Sequence, residues 1–233
     1  MKELDISINL PSYKESENIK ILLPKIIETL SKLKLTFEVN IIDTIQPLDS
    51  TYKIVKNLQF VNYYNREFSN SFGDAYRTAI KNSNGTYCVF MDADGSHSPY
   101  FLKKMMQYIE KYDVIIASRY IRGGKTENSI LLTFMSRILN IIYSVTLGIK
   151  CKDVSNSFKV YKTTQLKSLN LVCNNFDIIE EILYKLSKNN KGLTIKEIPY
   201  YFRKRLYGQT KRRLMLFIIT FIVTLFKLRF NIK

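Results

Sequence analysis

Short apolar runs that alternate with helix-period stretches constrain this 233-residue chain more than any other feature. Ile6–Leu10, Phe37–Asp43, Phe60–Tyr64, Thr86–Met91 and Val114–Ser118 are each brief and rich in Ile, Val, Phe or Tyr, which predicts strands. Between the first two, Ile19, Leu22, Leu23, Ile26, Ile27 and Leu30 fall at helical spacing. Pro24 lies inside that stretch and either kinks the helix or marks its first turn. Such alternation predicts an α/β domain whose mainly parallel sheet is covered on both faces. Ligands of such sheets bind beyond the carboxyl ends of the strands, here just after Leu10, Ile42, Met91 and Ser118.

After residue 120 the pattern changes. Gly123-Gly124 marks a loop, Ser129–Gly148 reads as a long, mostly apolar helix, and Ser157–Tyr161 as a short extended piece. A second helix is expected at Phe176–Ser187 and a strand at Leu193–Tyr200. Leu214–Phe226 is thirteen residues without a charge. A helix of that length is about 20 Å long, short of the roughly 30 Å of a bilayer core. Lys211-Arg212-Arg213 on one side and Lys227 and Arg229 on the other suit it to lie in a membrane interface. The chain then divides into a domain of residues 1–211 and a basic-flanked, membrane-associating helix in 212–233.

Lys and Arg number 36 against 20 Asp and Glu, a net charge of +16, and residues 196–233 hold ten basic side chains against the single acid Glu197. This field favours nucleotide phosphates, nucleic acid or an acidic lipid surface. The basic residues flank an apolar run and are not interleaved with exposed aromatics, so nucleic acid is not the expected partner. Cys88, Cys151 and Cys173 form no Cys-x-x-Cys pair and His97 is the sole histidine, so neither a zinc site nor a disulfide framework is expected. The cysteines read as small core residues in a reducing compartment. Met1-Lys2-Glu3-Leu4-Asp5 carries charge where a secretory signal would be apolar, so no signal peptide is expected.

Asp92-Ala93-Asp94 leaves the apolar run Tyr87–Met91 directly. Two carboxylates at the end of a buried strand suit a hard divalent cation, Mg²⁺ or Mn²⁺, that bridges a diphosphate and neutralises charge on a departing nucleotide. The plainer alternative is one Asp capping the next helix and one solvated.

Asp92-Ala93-Asp94-Gly95-Ser96-His97-Ser98-Pro99 resembles the DADxSHxP element of glycosyltransferase family 2, in the branch of dolichyl-phosphate mannose synthase and other polyprenyl-phosphate sugar transferases. Leu10–Ile19 is similar to that family's LPTYNExENI, Ser118-Arg119-Tyr120 to its (T/S)RY, Asp153–Tyr161 to its DxTSGFRxY and Arg205–Lys211 to its RxYGESK. Five elements stand in the family's order. The resemblance implies a GT-A, Rossmann-like nucleotide-sugar fold and inverting transfer of a hexose from a GDP- or UDP-sugar. The acceptor implied is a polyprenyl phosphate, and the enzyme is then peripheral on the cytoplasmic face of a membrane.

By the same resemblance Pro11, Tyr13 and Glu15 hold the nucleoside and Asp43 reads the base. Asp92, Asp94 and Ser96 serve the diphosphate and metal. Arg119, Arg205 and Lys211 hold phosphates, as bidentate guanidinium and point-charge ammonium groups do. Asp153 and Glu180 are candidate acids near the acceptor. His97 is expected to fix its turn or touch the diphosphate, since an ionised phosphate acceptor needs no strong base. There are departures. The family's DDGSPDGT loop is replaced by Asp43–Thr51, the Asn before Glu15 is Lys14, and Ile130-Leu131-Leu132-Thr133 lacks a usual Arg, so that an acceptor-phosphate contact is either lost or supplied by Lys125 or Arg122. A relative acting on a saccharide or protein hydroxyl is the main alternative, and a degenerate, inactive transferase is another.

Overall fold

A computed structural model describes residues 4–208 and 214–230. The elements run β1 (Ile6–Pro11), α1 (Ser16–Ser31), β2 (Phe37–Asp43), α2 (Thr51–Val55), β3 (Val61–Asn65), α3 (Phe72–Asn82), β4 (Tyr87–Phe90), α4 (Leu102–Met106) and β5 (Val114–Ser118). There follow β6 (Lys125–Thr126), α5 (Ile130–Leu147), β7 (Lys159–Lys162), α6 (Thr163–Lys167), α7 (Ile178–Asn189), β8 (Ile195–Pro199), β9 (Tyr201–Phe202) and α8 (Leu214–Phe230). Seven strands form one sheet in the order β3-β2-β1-β4-β7-β5-β8, and β6 pairs with β9 apart from it. The β1–β2, β1–β4, β2–β3 and β5–β8 pairs are parallel. The exception is β7, which enters antiparallel between β4 and β5. Its extended character was expected; its direction was not, because direction follows from the long return through α5 and not from the strand's own residues.

Strand residues alternate between two cores. Ile8, Leu10, Val39, Val89 and Ile115 face α1 and α4, while Ile42, Phe90 and Ile116 face α3, α5, α7 and α8. The helical spacing read in the first helix is real: Ile19, Leu22, Leu23, Ile26 and Leu30 of α1 are buried. Pro24 sits mid-helix on the exposed side, where a carbonyl left without its helical donor can be hydrated.

A polar ladder crosses β1, β2 and β3 midway along the strands. Asn9, Asn40 and Asn62 stand in register on β1, β2 and β3. Asn40 Nδ2 donates to Asn9 Oδ1 at 3.1 Å and Asn62 Nδ2 to Asn40 Oδ1 at 3.0 Å. Beside it the Glu38 carboxylate accepts from Ser7 Oγ and the Asn84 amide. Buried amides satisfied in this way fix one register, because a shift by one residue would strand them all.

The expected C-terminal apolar helix is present as α8, extended to Phe230, and one of its faces packs on the domain. Phe221, Leu225 and Leu228 are buried in the core that α5 and α7 share. Tyr143 of α5 donates its hydroxyl to Phe221 O at 2.7 Å, and Thr224 donates to Asp177. α5 also exposes apolar surface, at Ile130, Leu131, Phe134, Ile141 and Val145. Ser129 caps its first turn and Gly148, at φ +67°, ends it in the left-handed conformation. Only Asn140, Tyr143 and Leu147 of α5 are buried.

Candidate active site

The carboxyl ends of β1, β2, β4 and β5 converge on one loop cluster, as expected for a parallel sheet. Asp92, Asp94, Ser96 and His97 lie on the loop after β4. Gly95 has φ +88°, a region open to glycine, and a Cβ there would meet Leu206 Cγ at 2.5 Å. Asp94 Oδ1 accepts the Ser96 amide at 2.9 Å. Asp92 Oδ1 accepts the Ser157 hydroxyl at 2.8 Å. Ser96 Oγ is buried and finds no hydrogen-bond partner among the described residues. No cluster of three or more His, Cys, Asp or Glu side chains suited to a metal occurs among the described residues. Two half-buried carboxylates and a spare hydroxyl fit a divalent cation that takes its remaining ligands from substrate phosphates.

His97 is completely buried, stacked on Phe158 with ring centroids 4.7 Å apart. Its Nδ1 accepts the Asp92 amide at 2.9 Å, which puts the ring proton on Nε2. Burial, opposed by Asp92 and Asp94, lowers its pKa below the ordinary value. His97 therefore braces the turn in its neutral form, as its place before Pro99 suggested.

Arg119, at the end of β5, is gripped by Asp153. The carboxylate accepts the Arg119 amide at 2.7 Å, Nε at 2.9 Å and Nη2 at 2.7 Å. Burial works against the guanidinium charge, but Asp153 outweighs it and holds Arg119 above its ordinary value. Both Asp153 oxygens are thus engaged, and Glu197 holds its amide from below. Arg119 Nη2 also reaches Ser155 Oγ, which takes a second bond from Asn140 of α5 at 2.9 Å. Glu180 is buried on α7.

The segment 203–208 lies across the loop after β4. Arg203 N and Leu206 N donate to Ser96 O and Asp94 O. Arg205 Nη2 pairs with Glu15 at 2.7 and 3.0 Å, and Asn18 bonds both Glu15 and the Tyr207 backbone. Glu15 and Arg205, predicted separately, are therefore one unit. Lys211 lies outside the described residues. Lys125 and Arg122 are exposed near β6.

Pro11 ends β1 and Tyr13 follows it, with Lys14 at φ +59°. Asp43 has no exposed surface: Oδ1 accepts the Thr44 amide at 2.7 Å and Oδ2 the Tyr63 hydroxyl at 3.0 Å. Burial, opposed by these bonds, raises its carboxyl above the usual range. Arg66, which the sequence reading missed, ties this end together by donating to Ser12 O at 2.6 Å and to Asn70 O and Ser71 O. Its signal was available: an arginine immediately after a strand of a parallel sheet.

A mainly parallel α/β sheet with a two-carboxylate loop after β4, a buried arginine after β5 and a segment tied over the β4 loop has the architecture of the GT-A fold. The family model described as Glycosyl transferase family 2 matches residues 7–169, and the chain belongs to that family. It is 27% identical over 216 residues to dolichol-phosphate mannosyltransferase of Pyrococcus furiosus, covering 89% of this chain and 59% of the relative. It is 29% identical over 130 residues to undecaprenyl-phosphate mannosyltransferase of Micrococcus luteus, covering 53% and 51%. The chain thus spans between half and three-fifths of the length of these relatives. In fold it matches glucosyl-3-phosphoglycerate synthase of Mycobacterium tuberculosis, solved with Mn²⁺, UDP and glucosyl-3-phosphoglycerate, at TM-score 0.71 and 16% identity, over 97% of this chain and 80% of that one.

Proposed function

We propose that this glycosyltransferase moves a hexose, with inversion, from a GDP- or UDP-sugar to a polyprenyl phosphate at the cytoplasmic face of a membrane. One observation carries the reading: the exposed apolar helix α5 is hydrogen-bonded into the site itself, through Asn140, Ser155 and Arg119. Ile130, Leu131, Phe134, Ile141 and Val145 of α5 are exposed, as are Val223, Phe226 and Phe230 of α8. Among the described residues α5 alone has the length and mean hydropathy, 1.7, to cross a bilayer. Its Asn140–Tyr143–Leu147 stripe is packed on the domain, which favours lying on the surface with the other face in lipid. Lys227 and Arg229 at the end of α8 suit anionic headgroups. The mannosyltransferase relatives act on polyprenyl phosphates by name, which supports the same acceptor here.

In this reading Pro11 and Tyr13 line the nucleoside end, and the buried Asp43, bonded to Thr44 and Tyr63, braces it. Asp92, Asp94 and Ser96 would hold Mg²⁺ or Mn²⁺, which when bound neutralises charge on the leaving diphosphate. Arg119 and Arg205, with Lys211, position the two phosphate groups. An ionised phosphate attacks the anomeric carbon without giving up a proton, so no general base is required. A hydroxyl acceptor would need one, and Asp153 with both oxygens on Arg119 is poorly placed to serve.

The test is a donor and acceptor screen. The purified chain with Mn²⁺ is offered UDP- and GDP-hexoses with polyprenyl phosphate, polyprenol or a saccharide. Product on polyprenyl phosphate alone is expected. Transfer to the saccharide with polyprenyl phosphate never used would install the hydroxyl reading.

A further inference from the structure

Lys159 opens β7 in the middle of the sheet, opposite Phe90 of β4 and Ile116 of β5. Its side chain has no exposed surface. An ammonium in that position is unfavourable unless its hydrogen bonds are strong and needed. Its Nζ turns back to donate to Val154 O at 2.8 Å and to Asn156 O. Those two carbonyls belong to the loop whose side chains reach the site. Asp153 holds Arg119, Ser155 joins Arg119 to Asn140, Asn156 bonds Ala117 O, and Ser157 bonds Asp92. Glu197 takes the Asp153 amide and Asn140 the Ser155 amide, while Lys159 is the side chain that takes the loop's carbonyls, at Val154 and Asn156.

We propose that Lys159 is the positioning residue of the loop Asp153–Ser157, holding it from below so that Asp153 stays on Arg119 and Ser157 on Asp92. The proposal rests on the functional reading above only for what the loop positions. A charged donor makes bonds about twice as strong as a neutral one, so the hold depends on the proton. Lys159 stands where the family motif DxTSGFRxY carries an arginine, which does not titrate.

Burial pulls the Lys159 pKa down to about 8. Cys151, Glu180, Asp153 and Arg119 face it. Burial pushes the Cys151 thiol up to about 12, and Arg119 is held above its ordinary value. Tyr76 and Tyr161, in the core beneath, are raised well above theirs by burial. The sign follows from a folded pKa below the free value of 10.5. In that window the unfolded chain keeps a proton the native chain has released, so this group adds stability as pH rises. Alkali should therefore loosen the loop without loosening the fold through Lys159. An ordinary structural lysine would not separate the two.

The experiment uses the full chain as wild type, Lys159→Met and Lys159→Arg. Hydrogen exchange of the loop amides, corrected for intrinsic rate, is followed between pH 7 and pH 9.5 beside thermal melting, Mn²⁺-dependent UDP and GDP affinity, and turnover. In Lys159→Met the loop should lose about tenfold of its protection at pH 7, as two charge-assisted bonds are removed. In the wild type the same loss should set in above about pH 8 with no matching fall in melting temperature, while Lys159→Arg keeps its protection and its alkaline turnover. Unchanged loop protection in Lys159→Met, or one alkaline profile shared by wild type and Lys159→Arg, would overturn the proposal. If Lys159→Arg does not fold, the wild type's own exchange between the two pH values decides. If no donor is turned over, the functional reading fails and the exchange data still judge Lys159.

Discussion

Glu15 and Arg205, 190 residues apart, share an ion pair at 2.7 Å that ties the loop after β1 to the segment over Asp94. A bound diphosphate would compete with Glu15 for this guanidinium. Arg205→Ala should therefore weaken turnover with polyprenyl phosphate by about ten- to hundredfold. Glu15→Gln should instead leave Arg205 freer, so that initial anion affinity rises while nucleoside affinity falls. Titration with pyrophosphate and with UDP or GDP separates the two effects. Equal behaviour of both variants toward both ligands would contradict this division of labour.

Asp94→Asn should reduce turnover by about a thousandfold, since a cation bridging the diphosphate supplies several kcal/mol. The Mn²⁺ requirement for nucleotide binding should vanish with it, and EDTA should mimic the substitution on the wild type. Melting curves should stay nearly unchanged, because Asp94 is half-exposed. Full activity in EDTA would remove the metal from the scheme.

Asp153→Asn leaves Arg119, 8% exposed, without its counter-ion. Breaking a buried pair from one side costs about 3–5 kcal/mol, or roughly 6–20 °C in melting temperature for a chain of this size. The loss should be read in stability before it is read in the pH profile of turnover. A stable variant with an altered pH profile would mark Asp153 as a proton carrier after all.

On α5, Ile141→Glu and Val145→Glu each place charge on the exposed apolar face. Removing one such side chain from lipid should weaken binding to anionic liposomes by about ten- to hundredfold. Nucleotide binding should be untouched. Sedimentation with liposomes at low and high salt measures both the apolar part and the screened basic part. Unaltered sedimentation would move the contact surface elsewhere.

Lys14 holds φ +59° at an exposed turn. A side chain with a Cβ is disfavoured there by roughly 1–2 kcal/mol, and asparagine less so. Lys14→Asn should raise the melting temperature by roughly 2–4 °C. A fall would show that the lysine makes a contact worth more than the strain.

Much of this arrangement was legible because it is local. β-branched and aromatic runs bounded by polar residues marked β1, β2 and β5 to within a residue, and Ser129 and Gly148 framed α5. Asp92 and Asp94 drew notice as two carboxylates leaving an apolar strand and Arg119 through a motif that resembles the family's, and all three follow strand ends in the fold. What stayed hidden depends on partners distant in the chain. The antiparallel insertion of β7, the capture of Arg205 by Glu15, and the support of a loop by Lys159 leave no periodic trace in their own segments. The sharing of α8 with the core was hidden for the opposite reason. A short apolar run reads alike whether lipid or protein covers it.

The asparagine ladder has a consequence for how this enzyme could change. β2 and β3 are joined through residues 44–60, the stretch where the chain departs from its family. In a sheet aligned by its connections, altering the length there would shift a strand. Here Asn9, Asn40 and Asn62 align the strands through their own side chains. The connection beside the nucleoside end is thereby released from holding the sheet in place. On the function proposed above, it can gain or lose residues, and with them a preference for one base over another, while the carboxylates after β4 keep their positions.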